Sequence, residues 1–473
     1  MLNSSQTVET RTRSYYSKLA AGPVAALLLF SLLQPALSVP AAITAGITLW
    51  CVLWWILEPI PIPATSLIPI ALFPLFGVLS PADVAQAYGS PLILLMLGGF
   101  ILSKAMESTG THRRLALYMV SLSRRCTGSD SDRSIVVGFM LASATLSMWI
   151  SNTATTLMLL PIALAVIEKS DNPKLPLAMM LGIAYAANVG GMGTPIGTPP
   201  NLVFMQSYAD ATGQVISFFA WMKIAVPVVI IFLPIIAWWL TRNVNSGQSA
   251  LLKLPDAGQW RIEEKRVLWI FLLTALAWVT RAEPLGGWSG WLGVPQANDA
   301  AVALSAAILL FIVPGGQGKN LLNWQQASDI PWGILLLFAG GICIAKAFVV
   351  SGLSVTVGEA VSILTTLPLF LMLLILCFSV SIMTESTSNM ATTLLLMPIL
   401  AAAALVADID PKLLMLPAAL SASCAFMLPV ATAPNAIAFA SGRVSSVDML
   451  RAGIVLNIWG AFIIAGLCYF LVN

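Results

Sequence analysis

The sequence predicts an all-α polytopic membrane protein, with eleven transmembrane helices, two re-entrant hairpins and an inverted-topology repeat. Three observations predict it. Of the 473 residues, 58% are hydrophobic and only 9% charged, far below the roughly 25% charged residues of soluble domains. Apolar stretches of about 17 to 25 residues, the length that crosses the hydrocarbon, recur along the chain. Polar tripeptides interrupt them twice, at Ser151-Asn152-Thr153 and Ser388-Asn389-Met390.

The clearest spans are residues 19–37, 41–58, 61–79, 91–108, 218–240, 267–280, 299–314, 333–350 and 448–471. A β-barrel would require short alternating segments, which are absent. Arg11, Arg13 and Lys18 lead straight into the first apolar run without a small-residue cleavage site, so that span is expected to be retained. Cys51, Cys126, Cys343, Cys377, Cys424 and Cys468 stand singly, mostly in apolar segments, and are expected to pack rather than to form disulfides or bind metal. A formal net charge of +3 gives no basis for nucleic-acid binding.

Three blocks recur in order. Residues 97–110 match 339–352 at a spacing of 242, the Ser-Asn pairs lie 237 apart, and Gly197-Thr198-Pro199-Pro200-Asn201 matches Ala431-Thr432-Ala433-Pro434-Asn435 at a spacing of 234. Collinear matches with slowly drifting spacing indicate a duplicated half. With a cytoplasmic N-terminus, eighteen of the 23 Lys and Arg fall on cytoplasmic segments, as the positive-inside rule requires. That orientation needs one span before the repeat and five in each half, and it leaves the C-terminus outside. The halves therefore enter the membrane in opposite senses.

The segment from Arg133 to Lys169 has two basic flanks and a polar centre, so it is expected to be a hairpin that returns to the face it entered (133–169). Its counterpart spans 379–407. The following segments, 176–210 and 412–441, are broken by Gly190 to Pro200 and by Pro429 to Pro434, because proline and glycine at that density interrupt the hydrogen-bond ladder. The chain thus divides into an N-terminal segment and first span (1–40), a first half made of a leading part (41–132) and a part with the hairpin and broken helix (133–241), a cytoplasmic linker (242–266), and a second half divided in the same way (267–378 and 379–473). Residues 112–130 and 353–377 are expected to include helices lying along the membrane faces.

Polar groups at bilayer depth cost several kcal/mol each unless satisfied. Runs of hydroxyls and amides there imply a cavity. Half-helix N-termini suit an anion, whereas carbonyls and hydroxyls at C-terminal ends suit a hard cation such as sodium. No fixed positive charge lies near the two tips. A dianion held there would need co-bound cations to balance it in a low dielectric.

The hairpin tip Ser151-Asn152-Thr153, its copy in Thr384-Glu385-Ser386-Thr387-Ser388-Asn389, and the stretch from Phe426 to Asn435 resemble the divalent anion:sodium symporters. The likeness runs from about Glu58-Pro59-Ile60-Pro61 to the C-terminus. It implies a homodimer in the cell inner membrane, surrounded by membrane lipids, carrying C4-dicarboxylates (succinate, malate, fumarate) or related anions with sodium by an elevator-type motion. It implies at least two Na+ sites: Ser147, Ser151, Asn152 and a glycine, Gly193 or Gly197, around one, and Thr384, Thr387, Asn389 and Ala431 around the other. Asn152, Thr153, Thr198, Ser388, Asn389 and Thr432 would face the carboxylates. Met390 and Ala433 depart from the family pattern, and they bear on substrate preference more than on fold.

Other polar residues have plainer readings. Lys104 and Lys346 occupy equivalent positions near span ends, where snorkelling accounts for them. His112, beside Arg113 and Arg114, reads as a solvated loop residue. Glu58 and Glu385 read as capping or hairpin support. An enzyme would need a nucleophile with a base, or a metal cluster, and a channel would need a continuous pore-lining ring; neither pattern is present. The nearer alternative is a sodium-independent anion exchanger on the same fold, against which the Ala431 to Asn435 motif favours symport.

Overall fold

The computed structural model describes residues 13–127, 131–244, 258–283, 286–316, 318–361 and 367–472. Among them no strand forms, only an isolated bridge between Pro314 and Asn320. Arg11, Lys253 and most of the 242–266 linker lie outside the described residues, as do part of 353–377 and the Cys126 side chain.

The helices in chain order are α1 (Arg13–Leu33), α2 (Val39–Leu57), α3 (Ile62–Thr65), α4 (Leu67–Leu75), α5 (Pro81–Tyr88), α6 (Pro91–Thr109), α7 (Thr111–Thr127), α8 (Asp132–Ser147), α9 (Asn152–Ile167), α10 (Leu175–Gly191), α11 (Pro199–Thr212) and α12 (Phe218–Thr241). They continue with α13 (Ile262–Val279), α14 (Gly287–Trp291), α15 (Asp299–Ile312), α16 (Trp324–Ala327), α17 (Trp332–Val350), α18 (Leu353–Val361), α19 (Leu369–Ser386), α20 (Asn389–Val406), α21 (Lys412–Ser421), α22 (Ala433–Ala440) and α23 (Ser446–Val472). Among the described residues, eight helices are long and apolar enough to cross a bilayer: Ser14–Leu33, Val39–Leu57, Pro81–Thr109, Phe218–Thr241, Trp332–Val350, Leu369–Ser386, Asn389–Val406 and Ser446–Leu471.

Three expected spans take a different form. The stretch 61–79 breaks at Ser66 into α3 and α4, because Pro69 has no N–H to offer the Thr65 carbonyl and its ring crowds it. The stretch 267–280 belongs to α13, which opens with the charged run Glu263, Glu264, Lys265 and Arg266. The stretch 299–314 yields the 14-residue α15, shorter than the roughly 20 residues of a perpendicular crossing.

The chain packs as two compact units, Met1–Tyr88 with Leu336–Thr356, and Gly89–Leu335 with Val357–Asn473. In the first, α1 lies along α2, where the Trp54 indole donates to the Leu19 carbonyl (3.2 Å). Ser38 caps α2 by accepting from the Ala41 N–H (3.3 Å), and Glu58 ends it in the left-handed conformation (φ 45°). Lys346 is ion-paired to Asp83 (2.7 Å) and donates to Gln86 (2.9 Å).

In the second unit, α8 packs on α10, α6 on α15, and α19 on α23. Close approach of α8 and α10 depends on Gly190, where a Cβ would lie 2.5 Å from the Ala144 Cα. Lys104 is held by Asp329 (2.7 Å) and Glu107 (3.5 Å). Both repeat-related lysines thus have carboxylate partners, which carry their charge where snorkelling alone was expected. Five of the six cysteines, Cys51, Cys343, Cys377, Cys424 and Cys468, are buried and free.

The loop reading of His112 is corrected. It sits in the first turn of α7 and is 8% exposed, folded back so that Nδ1 hydrogen-bonds the Met106 carbonyl (2.9 Å) at the end of α6. Within its own helix that carbonyl meets only a long contact from the Thr109 hydroxyl (3.5 Å) among the side chains, and the ring adds a shorter bond at the helix end. The Arg114 guanidinium meets Glu264 (2.9 Å) at the start of α13 and donates to the Gly258 and Gln259 carbonyls, so this basic turn is also pinned.

Burial pushes the His112 pKa below its usual 6.5; Arg113 adds to the shift while the Met106 carbonyl and Glu107 oppose it. The unfolded chain therefore takes up a proton that the folded chain resists. Stability from this site is complete above about pH 6.5 and is lost as pH falls toward the depressed folded value. The detergent-solubilised protein should show a falling thermal midpoint from about pH 7 to about pH 5, and His112→Gln should flatten that fall. An unchanged slope in the variant would remove His112 from the account.

Candidate functional site

Polar groups gather where the second unit's helices stop. Helix α8 ends at Ser147, a tip of Met148, Trp149, Ile150 and Ser151 follows, and α9 starts at Asn152. Ser151 caps α9 by accepting from the Ala154 N–H (3.2 Å). Across the tip the buried Ser147 hydroxyl donates to Asn152 Oδ1 (2.5 Å), and the Thr156 hydroxyl donates to the Asn152 carbonyl (2.8 Å).

The second tip repeats the two asparagine bonds, without the side-chain cap. Thr384 Oγ1 donates to Asn389 Oδ1 (2.7 Å) and the Thr393 hydroxyl to the Asn389 carbonyl (2.7 Å). In both tips the asparagine's amide nitrogen has no protein acceptor among the described residues. One hydroxyl fixes the oxygen, and the N–H groups remain available to a ligand.

The interruptions after the tips are also matched. Between α10 and α11 the Asn201 amide donates to the Gly191 (2.9 Å) and Thr194 (2.7 Å) carbonyls. Between α21 and α22 the Asn435 amide donates to the Ala425 (3.0 Å) and Leu428 (3.1 Å) carbonyls. Each asparagine replaces ladder bonds that the prolines remove, closing a loop of backbone that would otherwise leave carbonyls unpaired. Thr198 and Thr432 cap α11 and α22 in the same extended conformation.

The two halves interlock crosswise. Helix α9 of the first half packs on α22 of the second, and α20 of the second packs on α11 of the first. Helix α10 likewise meets α22, as α21 meets α11. Helices α9, α11, α20 and α22 all begin at these breaks, so four sets of open N–H groups and positive dipole ends belong to one assembly. The C-terminal ends of α8, α10, α19 and α21 supply the carbonyls.

The structure brings some expected ligands together and separates others. Ser147 and Asn152 are in contact, and a Cβ on Gly191 would stand 2.7 Å from Asn152 Oδ1. Gly197 packs on the Gly191 carbonyl, which puts it beside this pair, whereas Gly193 faces the Met148 side chain. Of the two glycines considered, Gly197 has the better placement. Thr384 and Asn389 are in contact, but the Thr387 hydroxyl is engaged within its own hairpin, with Met383 O (2.9 Å) and Thr392 Oγ1 (2.6 Å). Ala431 is buried in the turn before Thr432. Thr153 is exposed, Thr198 is 5% exposed, and Ser388 caps α20 without a side-chain hydrogen bond.

Several polar residues escaped the sequence reading. Asn201 and Asn435 lay within repeated motifs, and that repetition was their signal. Asn188 and Asn457 are lone amides in apolar helices with no repeat counterpart. Glu385, read only as a support, is 2% exposed and gathers four donors. Oε1 accepts from the N–H groups of Phe426 (2.6 Å) and Met427 (2.8 Å) and from the Asn457 amide (2.8 Å), while Oε2 accepts from Leu428 N–H (3.0 Å). The carboxylate thereby ties the second tip to the break between α21 and α22.

With this geometry in view, the sequence pattern described as CitMHS, citrate transporter, matches residues 52–411. A sodium-dependent dicarboxylate transporter, SdcS, of Staphylococcus saprophyticus is 38% identical over 476 residues, covering 95% of this chain and 90% of that one. Its namesake in Staphylococcus aureus (strain MRSA252) is 38% identical over 441 residues, 88% of this chain and 83% of that one. Among solved structures, the Alcanivorax borkumensis YdaH transporter superposes with a TM-score of 0.58 at 13% identity, over 85% of this chain and 89% of that one. The Neisseria gonorrhoeae MtrF structure superposes with a TM-score of 0.60 at 13% identity, over 85% and 84%. At such identity these two bear on the fold alone.

Glu385→Gln keeps the shape of the side chain and puts an N–H donor where Leu428 N–H needs an acceptor. Two facing donors in a buried site should cost about 1–3 kcal/mol, read as a lowered thermal midpoint of the purified protein. Glu385→Ala should cost more, since all four donors lose their acceptor. Wild-type stability in both variants would show that the clamp does not hold the break together.

Proposed function

The chain belongs to the citrate-transporter (CitMHS) family, and we propose that it is a sodium-coupled symporter of C4-dicarboxylates or closely related divalent anions. The observation that carries this reading is the pair of matched tips, in which Ser147 with Asn152 and Thr384 with Asn389 each bring two oxygens into contact. A hard cation seated between such oxygens would turn the hydroxyl O–H aside and be coordinated by a lone pair from each oxygen. Its charge would then stand beside the amide N–H groups that face the anion.

In this reading one sodium site draws on Ser147, Ser151, Asn152 and Gly197 or Gly193, and the other on Thr384, Thr387, Asn389 and Ala431. The carboxylates take Asn152, Thr153, Thr198, Ser388, Asn389 and Thr432. Placement of the cap residues at helix N-termini supports the anion assignment. Relatives named as sodium-dependent support the cation.

The proposal extends to topology. Crosswise packing of α9 with α22 and of α20 with α11 is what an inverted repeat requires, since each half presents to the other the surface it receives. The shortness of α9, α10 and α21 supports tips and breaks that stop within the bilayer. Eleven spans, two re-entrant hairpins, a cytoplasmic N-terminus, an external C-terminus and a place in the inner membrane complete it. So do scaffold parts (41–132, 267–378) and transport parts (133–241, 379–473) in a homodimer that works by elevator-type motion.

Uptake of radiolabelled succinate into proteoliposomes tests the reading. An inward sodium gradient should drive accumulation above equilibrium, and replacing sodium with potassium or choline should abolish it. Exchange of internal for external dianion at full rate without sodium would move the chain to the exchanger alternative.

A further inference from the structure

We propose that Asn188, a residue of α10 with no counterpart in the second half, is a positioning residue that aims the Thr432 hydroxyl proton at the substrate carboxylate. The proposal rests on the transport reading above for the identity of the ligand. Asn188 is 1% exposed. Its amide nitrogen lies 3.1 Å from Thr432 Oγ1 and 3.3 Å from Asn435 Oδ1.

The polarity of this network is determined from its far end. Asn435 donates through its own amide nitrogen to two backbone carbonyls, those of Ala425 and Leu428. Its Oδ1 therefore faces Asn188 and requires a donor. Only the nitrogen of the Asn188 amide can supply one, and the second N–H of the same group is then directed at Thr432 Oγ1.

Thr432 Oγ1 also accepts from the Asn435 backbone N–H (3.3 Å). A hydroxyl has two acceptor positions and one proton. With both acceptor positions engaged by protein donors, the proton is left to point away from Asn188 and Asn435, into the space at the start of α22. A donor held in that orientation before the ligand arrives needs no reorganisation when it meets an anion.

The first half lacks this device. At the matched spacing of 234 the position of Asn188 is taken by Ala422, and Thr198 caps α11 with no side-chain hydrogen bond. The two threonines that occupy equivalent caps are therefore unequal: protein donors orient the Thr432 proton, and no cap hydrogen bond orients that of Thr198. The asymmetry makes the Thr432 side of the site the selective end for a carboxylate.

The test is a double-mutant cycle on sodium-driven succinate uptake in proteoliposomes, with folding monitored by gel filtration and thermal midpoint. Asn188→Ala should raise the succinate KM roughly tenfold, the value of one hydrogen bond to a charged group, with the sodium activation midpoint and kcat little changed. Thr432→Val, which removes the hydroxyl and keeps the shape, should raise KM similarly. In the Thr432→Val background Asn188→Ala should then have no further effect on KM, whereas in Thr432→Ser, which keeps a hydroxyl, it should retain its effect. Additive effects in the Thr432→Val background would overturn the proposal, as would a change confined to the sodium midpoint, since that would assign the unpartnered Asn188 Oδ1 to a cation. If Asn188→Ala fails to fold, Asn188→Leu keeps the size and cannot donate. An unchanged KM in that variant would also overturn it. Absence of sodium-driven uptake in the unmodified protein would defeat the transport reading, whereas normal uptake with insensitive variants would defeat only the role of Asn188.

Discussion

Unpaired backbone at helix ends is the constraint on which the second unit depends. Each helix leaves N–H groups at its start and carbonyls at its finish, and in an apolar setting water is not there to take them. The chain stops four helices and starts four others at two matched tips and breaks, and then provides for the ends from within. Asn201 and Asn435 take the carbonyls of the breaks, Ser147 and Thr384 hold the tip asparagines, and Glu385 gathers the N–H groups of Phe426, Met427 and Leu428. What remains open at the tips and breaks includes four helix starts and the two tip amide nitrogens, with the Asn188 and Asn201 Oδ1 atoms also unpartnered nearby.

In the proposed reading, that remainder is where cation and anion would meet. Donors alone would hold a dianion whose charge no lysine or arginine offsets, and oxygens alone would hold cations with no anion beside them. Asn152 and Asn389 would join the two requirements in that reading, because each presents Oδ1 to a hydroxyl while its nitrogen has no protein acceptor among the described residues. An amide is suited to this for a chemical reason: it carries donor and acceptor on one rigid plane and stays neutral at every working pH.

Much of this was legible in the sequence because duplication made it so. Thr198-Pro199-Pro200-Asn201 and Thr432-Ala433-Pro434-Asn435 predict helix breaks from the missing N–H groups of proline, and the structure breaks there, between Gly191 and Pro199 and between Ser421 and Ala433. Residues without a second copy were harder to read. Asn188 and Asn457 sit in apolar runs where periodicity says only that a helix continues, and their partners are more than seventy positions away in the chain. His112 looked solvated because its neighbours are charged; the turn at Gly110 folds it onto the end of α6, a tertiary effect that no local pattern encodes. Likewise Pro69 divides a stretch that hydropathy alone reads as one span.

The central claim is that cation and dianion compensate each other's charge at shared asparagines, and reciprocal binding tests it most directly. Succinate affinity of the purified protein, followed by intrinsic tryptophan fluorescence, would be measured across a sodium series, and sodium affinity across a succinate series, with choline holding ionic strength constant. Linkage requires that each ligand strengthen the other by the same factor, and the account predicts a large one, with succinate binding weak or undetectable in choline. Succinate affinity that is the same in sodium and in choline would contradict it.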